Sequence, residues 1–178
     1  MRRLLGVLTL MVMAVLLLEV CPDWAEGRAA PSAAGTDESL AIIVNQANTI
    51  NDISLKELRT IFLGERSHWP NGRRITLVMM DPGLGERKAV LRDICRMSET
   101  EFSRHFLQGL FTGEVFVSPK TLSTPTGVRK FVFNVPGAIG YVRASDVDGT
   151  VKAIRVNGHG PDDSEYPLRI EVRNAKAQ

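Results

Sequence analysis

ITLVMMDPGLGERKAVLRDICRM, at positions 75–97, combines three structural signals in one continuous run. Residues 75–79 form a short apolar segment bounded by turn residues, which indicates a buried strand. Residues 80–85 contain two glycines, which allow the backbone to bend sharply. Residues 86–96 have the apolar spacing of a helix. We therefore expect a strand, a tight loop and a helix in succession.

The start of the predicted helix is a candidate anion site. The first turn of a helix presents N–H groups without intrahelical partners, together with the positive end of the helix dipole, and both features favour an anion. Gly83 and Gly85 would let the backbone approach such a ligand closely. The loop lacks the lysine and hydroxyl residue that complete a nucleotide-binding loop. Two readings remain open: the helix start binds a ligand, or it only turns a corner.

The rest of the chain alternates predicted strands and helices. Strands are expected at residues 40–44, 137–142, 151–156 and 166–172, with a short one at 114–117. Ser54 with Glu57, and Ser98 with Glu101, have the capping-box spacing of helix starts. Pro125 follows a threonine at a third helix start. Strands separated by helices predict a layered α/β domain with a mixed sheet flanked by helices.

Two further predictions concern glycines and an aromatic stripe. Phe102, Phe106 and Leu110 recur at helical spacing and are expected to face the core. Gly109 is expected to interrupt that helix. Residues 137–142 contain two glycines and an alanine, so another backbone should approach this strand closely.

Charge and composition exclude several classes of function. The chain has 22 basic and 20 acidic residues and no basic block, so a nucleic-acid partner is not expected. Its three histidines are scattered without metal-ligand spacing, so neither a metal nor a cofactor is expected. Cys95 lies one turn beyond Leu91 on an apolar side, which predicts a buried, unreactive thiol.

The amino terminus has the pattern of an export signal. Arg2 and Arg3 precede an uncharged apolar segment at residues 4–18, and small residues precede a possible cleavage after Gly27. We expect residues 1–27 to be a signal peptide, 28–39 a flexible leader and 40–178 the folded domain. The mature protein would then be periplasmic or otherwise exported and have no stable membrane span. Two alternatives stay open: the segment remains as an anchor, or Cys21 is lipidated.

Three motifs in this order resemble the phosphate-type periplasmic substrate-binding proteins. They are FLGERSHWPNG at 62–72, the strand–glycine–helix unit at 75–97, and PGAIGYV at 136–142. Between residues 40 and 156 the chain is similar to the short, single-domain members of that group. The resemblance implies an α/β, single-lobe domain of the type II binding-protein class, export, and no catalysis.

The resemblance also suggests which residues would meet a ligand. Full-length phosphate binders have a loop resembling Arg-Ser-Asp-Gly-Ser-Gly-Thr, in which the arginine, second serine and threonine hold the anion. Met80, Leu84 and Glu86 stand at those three positions here. A phosphate-like oxyanion should therefore bind weakly or not at all. The ligand-binding residues expected on this basis, with nearby polar groups, are Gly83, Gly85, Glu86, Arg87, Ser123, Thr124 and Asn45.

Several assignments stay open after this comparison. Arg87 either replaces the lost cation or is an ordinary solvated arginine. The open face of a single lobe could also dock an envelope protein, a transporter or a second copy of the chain. The first functional hypothesis is therefore an anion-transport binding domain, and the second is an envelope interaction domain. An enzyme would need acid–base groups such as Asp81, Glu86 and His68, which have no defined spacing.

Overall fold

One seven-stranded mixed sheet organises the protein. The computed structural model describes residues 38–170. Six strands lie in the order β2-β6-β1-β5-β3-β4, and β7 pairs with β1. The strands are β1 (Glu38–Asn45), β2 (Asp52–Ile53), β3 (Thr76–Met80), β4 (Lys120–Leu122), β5 (Ala138–Arg143), β6 (Val151–Val156) and β7 (Arg169–Ile170).

Strand direction determines which strand ends share an edge of the sheet. β3 runs parallel to β4 and β5, with Met80 beside Leu122 and Leu77 beside Ile139. β1 runs antiparallel to β5, with Leu40 beside Arg143. The carboxyl ends of β3, β4 and β5 and the amino end of β1 therefore lie at one edge.

Within residues 38–170, four α-helices connect the strands: α1 (Leu55–Phe62), α2 (Gly85–Val90), α3 (Glu99–Thr112) and α4 (Pro125–Asn134). Both predicted capping boxes are present, at the starts of α1 and α3. Thr124 caps α4 by accepting a hydrogen bond from the Gly127 N–H at 3.1 Å. α2 continues into a π-helical turn (Leu91–Cys95), which ends at Arg96 in the left-handed conformation.

Helices cover both faces of the sheet. A Cβ atom on Gly140 of β5 would lie 3.0 Å from Val128 of α4, so this residue faces α4. The next residue, Tyr141, has its ring centroid 6.0 Å from that of Phe62 in α1. Successive strand residues point to opposite faces, so α1 and α4 lie on opposite sides. The predicted α/β fold with a mixed sheet flanked by helices is confirmed.

The expected close backbone approach occurs at Gly137. A Cβ atom there would lie 2.0 Å from the carbonyl oxygen of Arg74, a distance that excludes any side chain. The Gly137 carbonyl accepts hydrogen bonds from the Trp69 indole and the Thr76 N–H, each at 3.0 Å. These contacts anchor the loop before β3 to the start of β5.

Several predicted elements differ from the structure. Residues 114–117 form no strand, whereas β2 and β4 were not predicted. Gly109 lies within α3 rather than breaking it, and Gly113 ends that helix at φ 76°. Leu110 is 51% exposed, so the inward stripe contains only Phe102 and Phe106. The helix predicted at 86–96 begins one residue earlier and ends as a π-helical turn.

The described helices contain no segment that is both long enough and apolar enough to cross a membrane. The predicted signal peptide, the leader up to residue 37 and Cys21 lie outside the described residues. Of the strand expected at 166–172, only Arg169–Ile170 is a strand (β7); residues 166–168 are not, and positions 171 and 172 lie outside the described residues.

Candidate functional site

Most of the predicted site residues meet at one edge of the sheet. Gly83, Gly85, Glu86 and Arg87 follow the end of β3, while Ser123 and Thr124 follow the end of β4. The Asp81 N–H donates to the Leu122 carbonyl at 3.1 Å and holds the two strand ends together. Ligands of open α/β sheets bind outside the carboxyl ends of the strands. We call the segment from Asp81 to Arg87 the β3–α2 corner.

Asn45 does not belong to this group. It ends β1, which runs in the opposite direction, so it lies at the other edge of the sheet. Its side-chain amide donates to the carbonyls of Val132 and Phe133 at 2.9 and 2.6 Å. Asn45 therefore satisfies carbonyl groups at the carboxyl end of α4 and lies away from the corner.

Glu86 is buried at the corner and pairs with an arginine from β5. Its carboxylate oxygen Oε1 accepts a hydrogen bond from Arg143 Nε at 2.5 Å, and Glu86 is only 5% exposed. This hydrogen bond raises the pKa of Arg143. A second carboxylate, from Glu38 of β1, accepts from Arg143 at 3.0 Å and also contacts the Ser145 hydroxyl. The Arg143 guanidinium is thus shared between two carboxylates of the protein.

Arg87 points into the protein and is also paired. Nε and one terminal nitrogen donate to the two oxygens of Glu99 in α3, at 2.8 and 2.6 Å. The other terminal nitrogen donates to the Met80 carbonyl at 2.8 Å. The guanidinium lies 5.4 Å from the ring centre of Phe102. With Arg87 only 5% exposed, the alternative of a solvated arginine is wrong.

The remaining polar residues at the corner have different surroundings. Thr124 uses its hydroxyl to cap α4, as its position before Pro125 predicts. Ser123 is exposed beside it. Gly83 has φ 93° and open space around it, so its backbone adopts a conformation that other residues rarely adopt. Gly85 begins α2, whose N-cap, Leu84, offers no side-chain hydrogen bond.

Sequence reasoning missed the partners of these residues. Arg143 lies 57 positions from Glu86, and Glu99 lies 12 positions from Arg87. Tyr141 was also missed: its buried hydroxyl accepts the Met80 N–H at 2.9 Å. The only signal for Arg143 was its place directly after the PGAIGYV motif. Nothing in a single sequence pairs charges across such separations.

The groups considered for acid–base chemistry do not converge. His68 pairs with Arg74 just before β3 begins, whereas Asp81 and Glu86 follow the end of that strand. The His68 Nδ1 atom lies 2.9 Å from the Ser67 hydroxyl. Within residues 38–170, no three acidic, histidine or cysteine side chains are arranged to hold a metal ion.

Comparison with known proteins identifies the architecture. No protein-family model matches the chain. The chain is 29% identical over 139 residues to the phosphate-binding protein PstS of Bacillus subtilis (strain 168), covering 72% of this chain and 41% of the relative. The chain has a phosphate-binding-protein-like fold.

Solved structures agree on this fold. PstS from Borrelia burgdorferi superposes with a TM-score of 0.60 at 15% identity, covering 75% of this chain and 55% of that one. An ABC-type phosphate transport receptor from Vibrio cholerae superposes with a TM-score of 0.58 at 19% identity, and the match covers 78% of this chain and 59% of the receptor. The chain thus spans about two-fifths to three-fifths of the length of these proteins.

Proposed function

We propose that the protein is an exported, non-catalytic, substrate-binding-protein-like domain related to phosphate or other anion ABC transport. In this proposal the β3–α2 corner keeps the shape of a phosphate-binding loop but no longer captures phosphate tightly. The fold of phosphate-binding relatives supports the first part. The ion pairs at the corner support the second.

The observation that carries the proposal is the charge at this edge of the sheet. Asp81, Glu86 and Glu38 supply three carboxylates, and Arg143 is paired with two of them. Arg87 faces away toward Glu99. A phosphate placed beside the Glu86 carboxylate would be repelled by about 1–4 kcal/mol at 4 Å, depending on screening. Each 1.4 kcal/mol costs about tenfold in affinity, so capture of phosphate would be weak.

Protein-detected NMR titration with phosphate, sulfate and molybdate tests this proposal. For the native protein we expect no saturable shifts at the 83–87 amides up to about 1 mM, which corresponds to a binding free energy weaker than about −4 kcal/mol. Glu86→Gln removes the negative charge and releases Arg143 from one partner, so shifts at these amides should appear. Glu114→Gln, in an exposed loop, should behave like the native protein. Tight phosphate binding by the native protein would refute the loss of capture.

Export forms a separate part of the proposal. A short positive start, an apolar segment and small residues before position 28 support cleavage after Gly27. Expression of the full chain in a bacterial host, followed by fractionation and mass analysis, should give a periplasmic product that begins at Arg28. An intact amino terminus on a membrane-bound product would favour retention as an anchor. A lipid adduct on Cys21 would favour the lipoprotein alternative.

A second candidate function is an envelope interaction domain without a solute, and the surface of α3 favours it. Leu107, Leu110 and Phe111 are 61, 51 and 86% exposed on this helix, and Phe116 in the following loop is 55% exposed. Large apolar side chains grouped on a surface are typical of protein contacts. The partner proposed for this surface is a second copy of the chain, with a transporter subunit as the other outcome.

Sedimentation velocity tests whether the chain forms a dimer through the α3 surface. The native protein at about 100 μM should sediment as a dimer if the α3 surface is an interface of micromolar affinity. Phe111→Ser should then produce a monomer. Phe133→Ser, which changes a 54% exposed phenylalanine on α4, is the control and should leave the dimer intact. If the native protein is monomeric at this concentration, a second copy of the chain is not the partner of the α3 surface.

A further inference from the structure

A cleft lies between the outer side of α2, its π-helical turn and the start of α3, and Glu99, the partner of Arg87, lines one part of it. Its volume is about 640 Å³, within the range of small-molecule binding sites. Leu91, which is buried, and Met97, which is partly buried, contribute apolar surface to it. A ligand with an apolar body would therefore gain contact area here.

The acidic side chains around this cleft already have partners. Both oxygens of Glu99 accept hydrogen bonds from Arg87. Glu101 accepts from the N–H and the hydroxyl of Ser98 at 2.8 and 2.7 Å, and these bonds lower the pKa of Glu101. Each of these two carboxylates is thus already hydrogen-bonded to groups of the protein.

Two basic side chains at the cleft have no such partners. Lys88 and Arg96 are both exposed cleft residues, and within residues 38–170 neither side chain makes an ion pair or hydrogen bond. Arg96 holds a left-handed backbone conformation, φ 54° and ψ 47°, directly after the π-helical turn. Glycine is the usual residue at this helix-end position. Local backbone preference therefore does not explain the arginine.

We propose that this cleft binds a small organic anion with an apolar body, such as an aryl-substituted carboxylate. The apolar body lies against Leu91 and Met97, and the carboxylate lies between Lys88 and Arg96. The cleft shares only Gly83 with the β3–α2 corner, so this inference does not depend on the proposed function. Inorganic phosphate has no apolar part and would gain little from the cleft.

NMR titration with 4-phenylbutyrate tests the proposal on the native protein. We expect saturable shifts at the amides of residues 88–98 and progressive weakening as sodium chloride is raised, because exposed charges are screened by salt. The uncharged isostere 4-phenylbutanol should bind about tenfold more weakly, and inorganic phosphate should not shift these amides. Equal affinity for the acid and the alcohol, or no saturable shift with 4-phenylbutyrate, would overturn the proposal.

Variants that remove one positive charge test whether the ligand carboxylate lies between Lys88 and Arg96. Arg96→Gly removes the guanidinium and relieves the left-handed strain, so affinity should fall about fivefold while the urea midpoint stays or rises. Lys88→Gln should lower affinity by a similar factor. Lys120→Gln, at an exposed lysine of β4 that does not line the cleft, is the matched control. Unchanged affinity in both Arg96→Gly and Lys88→Gln would overturn the assignment.

Discussion

Replacing Arg87 by methionine should destabilise the protein strongly. Arg87 is buried on the inner side of α2 and donates three hydrogen bonds, two to Glu99 and one to the Met80 carbonyl. Methionine retains much of the side-chain volume but none of the donors. The substitution therefore leaves a carboxylate and a buried carbonyl without their partner, and it removes the contact with Phe102.

The magnitude follows from the burial of each partner. Breaking a buried ion pair by removing one member costs about 3–5 kcal/mol. The Glu99 side chain is 39% exposed, so water recovers part of its lost interaction. We expect a net loss of about 2–4 kcal/mol. At about 2–4 °C per kcal/mol for a chain of this size, the melting temperature should fall by roughly 4–16 °C.

Urea denaturation followed by circular dichroism measures this loss. A double-mutant cycle with Glu99→Gln should give a coupling of about 1–3 kcal/mol, because the two residues share two hydrogen bonds. Lys88→Met, at the neighbouring exposed position of α2, is the control and should stay within about 0.5 kcal/mol of the native protein. A loss below about 1 kcal/mol for Arg87→Met, with an unchanged denaturant slope, would refute the reasoning.

Three other predictions follow from buried contacts. Tyr141→Phe removes the acceptor of the Met80 N–H and should cost about 1–3 kcal/mol by urea denaturation; an unchanged midpoint would contradict this. Gly137→Ala should lower the free energy of unfolding by about 3 kcal/mol or more, because the new Cβ would lie 2.0 Å from a backbone oxygen. Gly149→Ala, where the new Cβ would meet open space, is the control and should stay within about 0.5 kcal/mol of the native protein. Burial raises the pKa of Cys95 to about 12, so its alkylation at pH 8, mapped by mass spectrometry, should be roughly a thousandfold slower than in the unfolded chain. Similar rates in the folded and unfolded chains would show that the thiol is accessible as thiolate.

Local chemistry made parts of the fold predictable. Each capping box depends on residues three positions apart, so Ser54 with Glu57 and Ser98 with Glu101 could be recognised from the sequence. The strand–loop–helix unit of residues 75–96 was also predicted, because its apolar periods and glycines act within one segment. Its shift by one residue reflects the normal uncertainty of helix and strand ends.

Long-range pairing accounts for what could not be predicted. β2 has two residues and β4 has three, and each exists only because a neighbouring strand offers hydrogen bonds. The partners of Glu86 and Arg87 come from β5 and α3, which local sequence does not bring together. Leu110 has the helical spacing of a core residue, but exposure depends on what packs against α3. The sequence does not show that β1 runs antiparallel to β5, so it could not place Asn45 at the edge of the sheet opposite the other predicted site residues.

Calorimetric titration of the native protein with phosphate tests the central claim most directly. The Glu86–Arg143 and Arg87–Glu99 pairs occupy Arg143 and Arg87 with carboxylates of the protein, so neither arginine is free to bind a dianion. We predict no saturable heat up to about 1 mM phosphate, equivalent to a binding free energy weaker than about −4 kcal/mol. Saturable binding with a dissociation constant near 1 μM would require these pairs to open for the anion and would contradict the account.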